Sequence, residues 1–281
     1  MIPTFVIFLR EGFEASMIVA ILLAYLKRME QRHLFKNVFW GVAAAFGLIF
    51  AGGIAAYLLI KQYDGSNVQT YFETVTYLLA AAILTYMTFW MQSHARGLAH
   101  DLQAKSDAAI SRGGRFGLSL LAFQAVGREG LETMVFTLAI IFANSKQSAV
   151  PLDGNLLWLG SLLGLATALL LAFGIYRMGA KINMRLFFRT LGVALFIFAA
   201  GLLSDAIQNL QELNWIPFMH HQLWNSSGFV AEDSNFGDVL HSLLGYAERP
   251  TVLQALVWIS YLGIGSWLFL RMGRQKKTVS V

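Results

Sequence analysis

Residues 8–17 read FLREGFEASM and place an arginine and two glutamates inside an apolar run that extends from Pro3 to Leu26. That run is long enough to cross about 30 Å of hydrocarbon as a helix, so the charges inside it need a physical reason. The rest of the chain has the same character. Of its 281 residues, 57% are hydrophobic and 13% charged, too apolar for an ordinary soluble domain of this length. Backbone polar groups in lipid must be satisfied within the segment itself, so apolar stretches of about 20 residues are the units to count. They fall at 3–26, 38–60, 71–93, 116–143, 155–176, 187–210 and 251–271. The pattern predicts an all-α polytopic membrane protein with seven transmembrane helices.

Cation placement orients the spans. Basic residues follow the first span (Lys27, Arg28, Arg32, Lys36), the third (Arg96, Lys105, Arg112, Arg115) and the fifth (Arg177, Lys181, Arg185, Arg189). With Arg271, Arg274, Lys276 and Lys277 in the tail, 16 of the 21 Lys and Arg lie on one side, which predicts an N-out, C-in topology. No cation precedes the first apolar run, and charges interrupt it, so it reads as a retained span and not a cleaved signal peptide. The sequence pI near 9.5 then reflects a cytoplasmic belt facing lipid headgroups, and no nucleic-acid partner is expected. The outer loops lean acidic at Asp64, Asp153, Glu232, Asp233, Asp238 and Glu248. Zero cysteines exclude disulfides, thiolate metal sites and haem attachment.

The opening motif recurs. REGFE at 10–14 returns as REGLE at 128–132, an offset of 118 residues that also carries Trp40 onto Trp158. One repeat covers 1–93 and the other 116–210, three spans each. Because three is odd, the second unit enters the membrane from the opposite side, which makes a 3+3 inverted repeat. Polar interruptions at matching positions of such a repeat point to a transporter with its site near the midplane. The expected organisation is a single transmembrane permease domain over 1–281, with an outer loop at 211–250 and an accessory seventh helix at 251–271. Residues 94–115 form a polar cytoplasmic connection with helical character and a break at Gly113-Gly114.

On a helix advancing about 100° per residue, Arg10, Glu11 and Glu14 share one face, and Gly12 lies nearly opposite Glu14, where another helix can approach. Arg128, Glu129, Glu132 and Gly130 repeat that geometry. Each charge near the bilayer centre costs roughly 2.5–3.5 kcal/mol, so six cost on the order of 15 kcal/mol before pairing. Ion pairs alone do not offset this, because two arginines face four glutamates and leave a formal charge of −2. The remainder calls for protons or a cation. Carboxylates without thiolates suit a hard or borderline multivalent ion, and charge arithmetic admits iron, manganese, magnesium or calcium. Glu73, Asp205 and Glu212 are secondary metal candidates; Asp205 and Glu212 read equally well as vestibule ligands or as interfacial acids. His220 and His221 read as ordinary loop residues.

The duplicated REGxE motif, with LAYLKR, ILTYMTFWM, AVGREGLE and FAAGLL around it, resembles the high-affinity iron permease family and its bacterial EfeU-type branch. The resemblance covers essentially the whole chain. It implies iron ligands at Glu11, Glu14, Glu129 and Glu132, with Arg10 and Arg128 positioning them, and a secondary site at Glu73 in YFETV. It also implies a multi-pass protein of a bacterial inner membrane, with iron, Fe2+ or Fe3+, as transported substrate and no permanently bound cofactor. Extracytoplasmic partners follow from the same likeness: a haem peroxidase, a cupredoxin-type protein or a multicopper oxidase. Two other readings use the same carboxylates. One is a manganese or other divalent-cation transporter; the other is a membrane di-iron oxidase, which would normally add a Glu-x-x-His element that neither motif has.

Overall fold

The computed structural model describes residues 1–63, 65–94, 98–145, 154–178, 184–231, 234, 237, 240–241 and 244–275. Asp64, Arg96, Lys146, Asp153, Lys181, Glu232, Asp233, Asp238, Lys276 and Lys277 lie outside the described residues. The helices are α1 (Ile2–Arg28), α2 (Phe35–Lys61), α3 (Asn67–His94), α4 (Leu98–Ser145), α5 (Gly154–Met178), α6 (Met184–Glu212) and α7 (Val252–Gln275), with a 3-10 turn at Arg32–Leu34. Each expected span overlaps one of these helices; most extend a few residues past the apolar stretch, whereas α4 starts 18 residues ahead of the span expected at 116, across Gly114. The chain is a multi-pass, all-helical membrane protein. Among the described residues, four segments are long and apolar enough to cross a bilayer: Arg32–Ile60, Asn67–Trp90, Leu157–Gly174 and Arg189–Glu212. Val252–Leu268 is a shorter apolar helix. In α1 and α4 the motif itself places three charged side chains in the apolar stretch.

Two compact units can be described separately. The first comprises 1–64, 91–138 and 153–191; the second comprises 65–90, 139–152 and 192–281. In the first unit glycines bring helices together in two matching pairs. A Cβ at Gly160 of α5 would stand 2.5 Å from the Met1 carbonyl oxygen, and it also meets Thr4 of α1. A Cβ at Gly41 of α2 would run into Ser119 and stand 3.1 Å from Ala122 Cβ of α4. Met1 and Ser119, like Thr4 and Ala122, are 118 residues apart, the offset of the two motifs. Thus α1 packs on α5 and α4 packs on α2 in matching fashion, though the two glycines lie 119 residues apart, one off the motif offset; in each pair only a missing side chain lets the backbones approach.

Below the motif, Ile18, Leu22 and Leu26 of α1 form a dry cluster with Leu34, Val38, Leu118 and Ala122. Gly114 interrupts α4 with φ 53° and ψ −130°, a conformation open to glycine and hostile to residues with a Cβ. The expected break therefore lies at the second glycine of the pair. The helical segment ahead of it places Ile110 against the dry cluster and Asp107 as acceptor for the Tyr25 hydroxyl.

In the second unit α3, α6 and α7 pack through aromatic rings. Phe196 stacks on Tyr261 at 4.5 Å between centroids, and Tyr261 shares a 2.6 Å hydrogen bond with Thr85. The chain after α6 is held by its own hydrogen bonds. The Thr251 hydroxyl donates to Gln211 at 2.9 Å, the Ser226 amide to the Glu248 carbonyl at 2.9 Å and the Tyr246 hydroxyl to the Val230 carbonyl at 3.0 Å.

A valine at Gly160 should drive its side chain into the α1 backbone and cost about 1–3 kcal/mol. A valine at Gly47, which faces open space, should cost nothing comparable. Thermal unfolding of the detergent-solubilised variants measures the difference.

Candidate metal centre

Both charged motifs lie in the first unit, halfway along α1 and along the part of α4 that follows Gly114. Local sequence explains their setting. Gly12 of α1 faces α5, where a Cβ would stand 3.1 Å from Leu165 Cδ1 and 3.3 Å from Ala168 Cβ. Gly130 of α4 faces α2, and a Cβ there would stand 3.1 Å from Ile49 Cγ1 and closer still to Cδ1. In each motif the glycine seats a neighbouring helix on one face and leaves the opposite face to the charges. Nearby hydroxyls are spent locally: Ser16 donates to the Gly12 carbonyl at 2.5 Å and Thr133 to the Glu129 carbonyl at 2.8 Å. They do not compete for the carboxylates.

Arg10 is buried and reaches two acids. Its Nη1 donates to Glu11 Oε1 at 2.8 Å, and its Nε stands 3.2 Å from Glu14 Oε1. In α4 the Arg128 Nε donates to Glu132 Oε1 at 3.0 Å. All four glutamates are buried. One oxygen from each of Glu11, Glu14 and Glu129 lies within 4.8 Å of the others, so three acids from two helices converge. Glu11 Oε2, Glu129 Oε2 and Glu132 Oε2 are buried with no hydrogen-bond donor among the described residues. A buried carboxylate oxygen without a donor is costly, and a cation removes that cost without moving the backbone. The donor set is all oxygen, as hard and borderline cations prefer.

The secondary candidates belong to the second unit. Glu73 of α3 is fully buried and accepts a 2.9 Å hydrogen bond from Gln69 Nε2. Asp205 is half-buried and Glu212 exposed on α6, where Gln208 Nε2 donates to Glu212 Oε1 at 3.1 Å. His220 and His221 are exposed. His241 is the residue the sequence reading passed over: it is buried, with Nε2 3.9 Å from Asp205 Oδ2. Its Nδ1 lies 2.7 Å from the Tyr246 carbonyl, which can only accept, so Nδ1 carries the proton. One histidine in an apolar-polar alternation offers no signal that would distinguish it from loop chemistry.

The chain matches the model described as Iron permease FTR1 family over residues 1–273. It is 35% identical over 265 residues to the ferrous iron permease EfeU of Escherichia coli O6:K15:H31 (strain 536 / UPEC), covering 93% of this chain and 92% of the relative. It is 32% identical over 264 residues to the ferrous iron permease EfeU of Yersinia pestis, covering 93% and 90%. These relatives are named as permeases, that is, transporters and not enzymes. No solved structure matches the chain.

Because Arg10 is buried between two acids, Arg10→Met should leave uncompensated charge and cost about 3–5 kcal/mol. Arg128→Met should cost much less, since that side chain is 47% exposed. Denaturant titration of the solubilised variants compares the two, and equal losses would contradict this account of the site.

Proposed function

Because the chain belongs to the iron permease FTR1 family, we propose that it carries iron across the cytoplasmic membrane of a bacterium, held between the glutamates of its two REGxE motifs. It is a transporter and not an enzyme. The observation that carries the site assignment is the convergence of Glu11, Glu14 and Glu129, whose charge Arg10 only partly balances. Glu132, paired with Arg128, completes the proposed ligand set. Iron fits the all-oxygen donors, and the relatives' names specify the ferrous form for those proteins.

The proposed architecture is a single permease domain of seven spans, N-out and C-in. In it, α1 to α3 and α4 to α6 form the inverted halves, the loop over 211–250 is external, and α7 is accessory. Support comes from the equivalent packing of Gly41 on Ser119 and Ala122 and of Gly160 on Met1 and Thr4. Helix α1 therefore pairs with α5 and α4 with α2, an exchange between the halves that crosses the motif helices near the middle. Glu73, Asp205 and Glu212 are proposed as secondary metal sites. An extracytoplasmic redox partner would deliver the ion.

Uptake of radioactive iron into cells or proteoliposomes tests the assignment. Glutamine at Glu11, Glu14, Glu129 or Glu132 should reduce uptake to background while the protein remains in the membrane. Excess manganese, zinc or calcium should compete poorly with iron in the wild type. Unchanged uptake in all four variants would refute the carboxylate site.

A further inference from the structure

The two motif copies match in sequence and differ in setting. Arg10 is 3% exposed and contacts two carboxylates, whereas Arg128 is 47% exposed and is paired with Glu132. Glu14 and Glu132 hold the same position in their motifs, yet Glu14 joins Glu11 and Glu129 in the converging group and Glu132 does not. Charge follows the same division. Three carboxylates with Arg10 sum to −2, the complement of a divalent ion, while Arg128 and Glu132 cancel each other.

The energetic cost of breaking the two pairings is also unequal. Moving Arg10 away would leave two buried carboxylates uncompensated in a low dielectric, a strongly unfavourable change. Arg128 already presents half of its side chain outward. A guanidinium in mid-span is costly against hydrocarbon, and the exposed residue one turn earlier on α4 is the polar Gln124, set between the exposed Leu120 and Leu131. Glu132 Oε2 is buried without a hydrogen-bond donor among the described residues, an oxygen available to a cation once Arg128 turns away.

We propose that the copies have divided the work, an inference that rests on the carboxylate-site reading. Glu11, Glu14 and Glu129, fixed by Arg10, bind the ion. Arg128 and Glu132 form a release pair: Arg128 rotates outward toward Gln124, and Glu132 takes the ion from the three-carboxylate group. The step exchanges ligands only, with no change in the oxidation state of the iron.

The test uses the full chain with Fe2+ kept reduced under anaerobic conditions. Equilibrium binding is measured in detergent and turnover in proteoliposomes. Glu14→Gln should weaken Fe2+ binding by about tenfold or more, at least the loss expected when a residue supporting a metal ligand is removed. Glu132→Gln should weaken Fe2+ binding far less than Glu14→Gln does and lose turnover by about tenfold or more, a loss that falls chiefly on a step after binding. The double variant Arg128→Gln, Glu132→Gln keeps a neutral pair that can still hydrogen-bond one turn apart. If the pair only stapled α4, this double variant would transport at the wild-type rate; a release pair predicts transport no better than Glu132→Gln alone. Equal loss of Fe2+ binding in Glu14→Gln and Glu132→Gln, or wild-type turnover in the double variant, would overturn the division of roles. Wild-type binding in each of the Glu11, Glu14 and Glu129 glutamine variants would overturn the underlying site as well.

Discussion

Four buried carboxylates set against two guanidinium groups are the constraint on which the rest depends. Neutral side chains at these positions would spare the helices a cost on the order of 15 kcal/mol before pairing. The ion pairs offset part of that cost and cannot offset all of it, because the charges do not sum to zero. In the proposed site, a multivalent cation at the point of convergence would supply what the arginines lack. The surplus would then link stability to function, the electrostatic deficit of the centre favouring its filling.

Bringing the acids together requires close helix packing, and glycine makes it possible. Gly12 and Gly160 seat α1 against α5, and Gly130 and Gly41 seat α4 against α2. These contacts fix the rotation of each motif helix, because a glycine on one side dictates which side chains face the other. The charged face is thereby committed to the interior without any polar contact having to draw it there. Apolar packing continues toward Leu22 and Leu26, where the dry cluster with Leu118 separates the centre from the end of α1 that carries Lys27 and Arg28.

Much of this was legible from residues alone. The apolar runs located six of the seven helices to within a few residues and the start of α4 only from Gly114 onward, where the Gly113-Gly114 break was visible from composition. The repeated REGxE motif identified the six charged groups and the excess of glutamates. What the sequence could not supply was the difference between the copies. Four identical letters out of five do not reveal that Arg10 is enclosed while Arg128 is half exposed, since exposure depends on neighbours remote in sequence. The same limit hid His241, whose burial beside Asp205 results from the folding of the chain after α6. Glu73, Asp205 and Glu212 were recognisable as acids near span ends, but only the fold shows that Glu73 is buried while Glu212 is exposed.

The most direct measurement is X-ray absorption at the iron edge on purified protein loaded anaerobically with one equivalent of Fe2+. The account predicts a first shell of oxygen alone, without the outer-shell multiple scattering that imidazole ligands produce, and loss of that spectrum when Glu11, Glu14 and Glu129 are replaced together by glutamine. A histidine signature, or an unchanged iron spectrum in the triple variant, would contradict it.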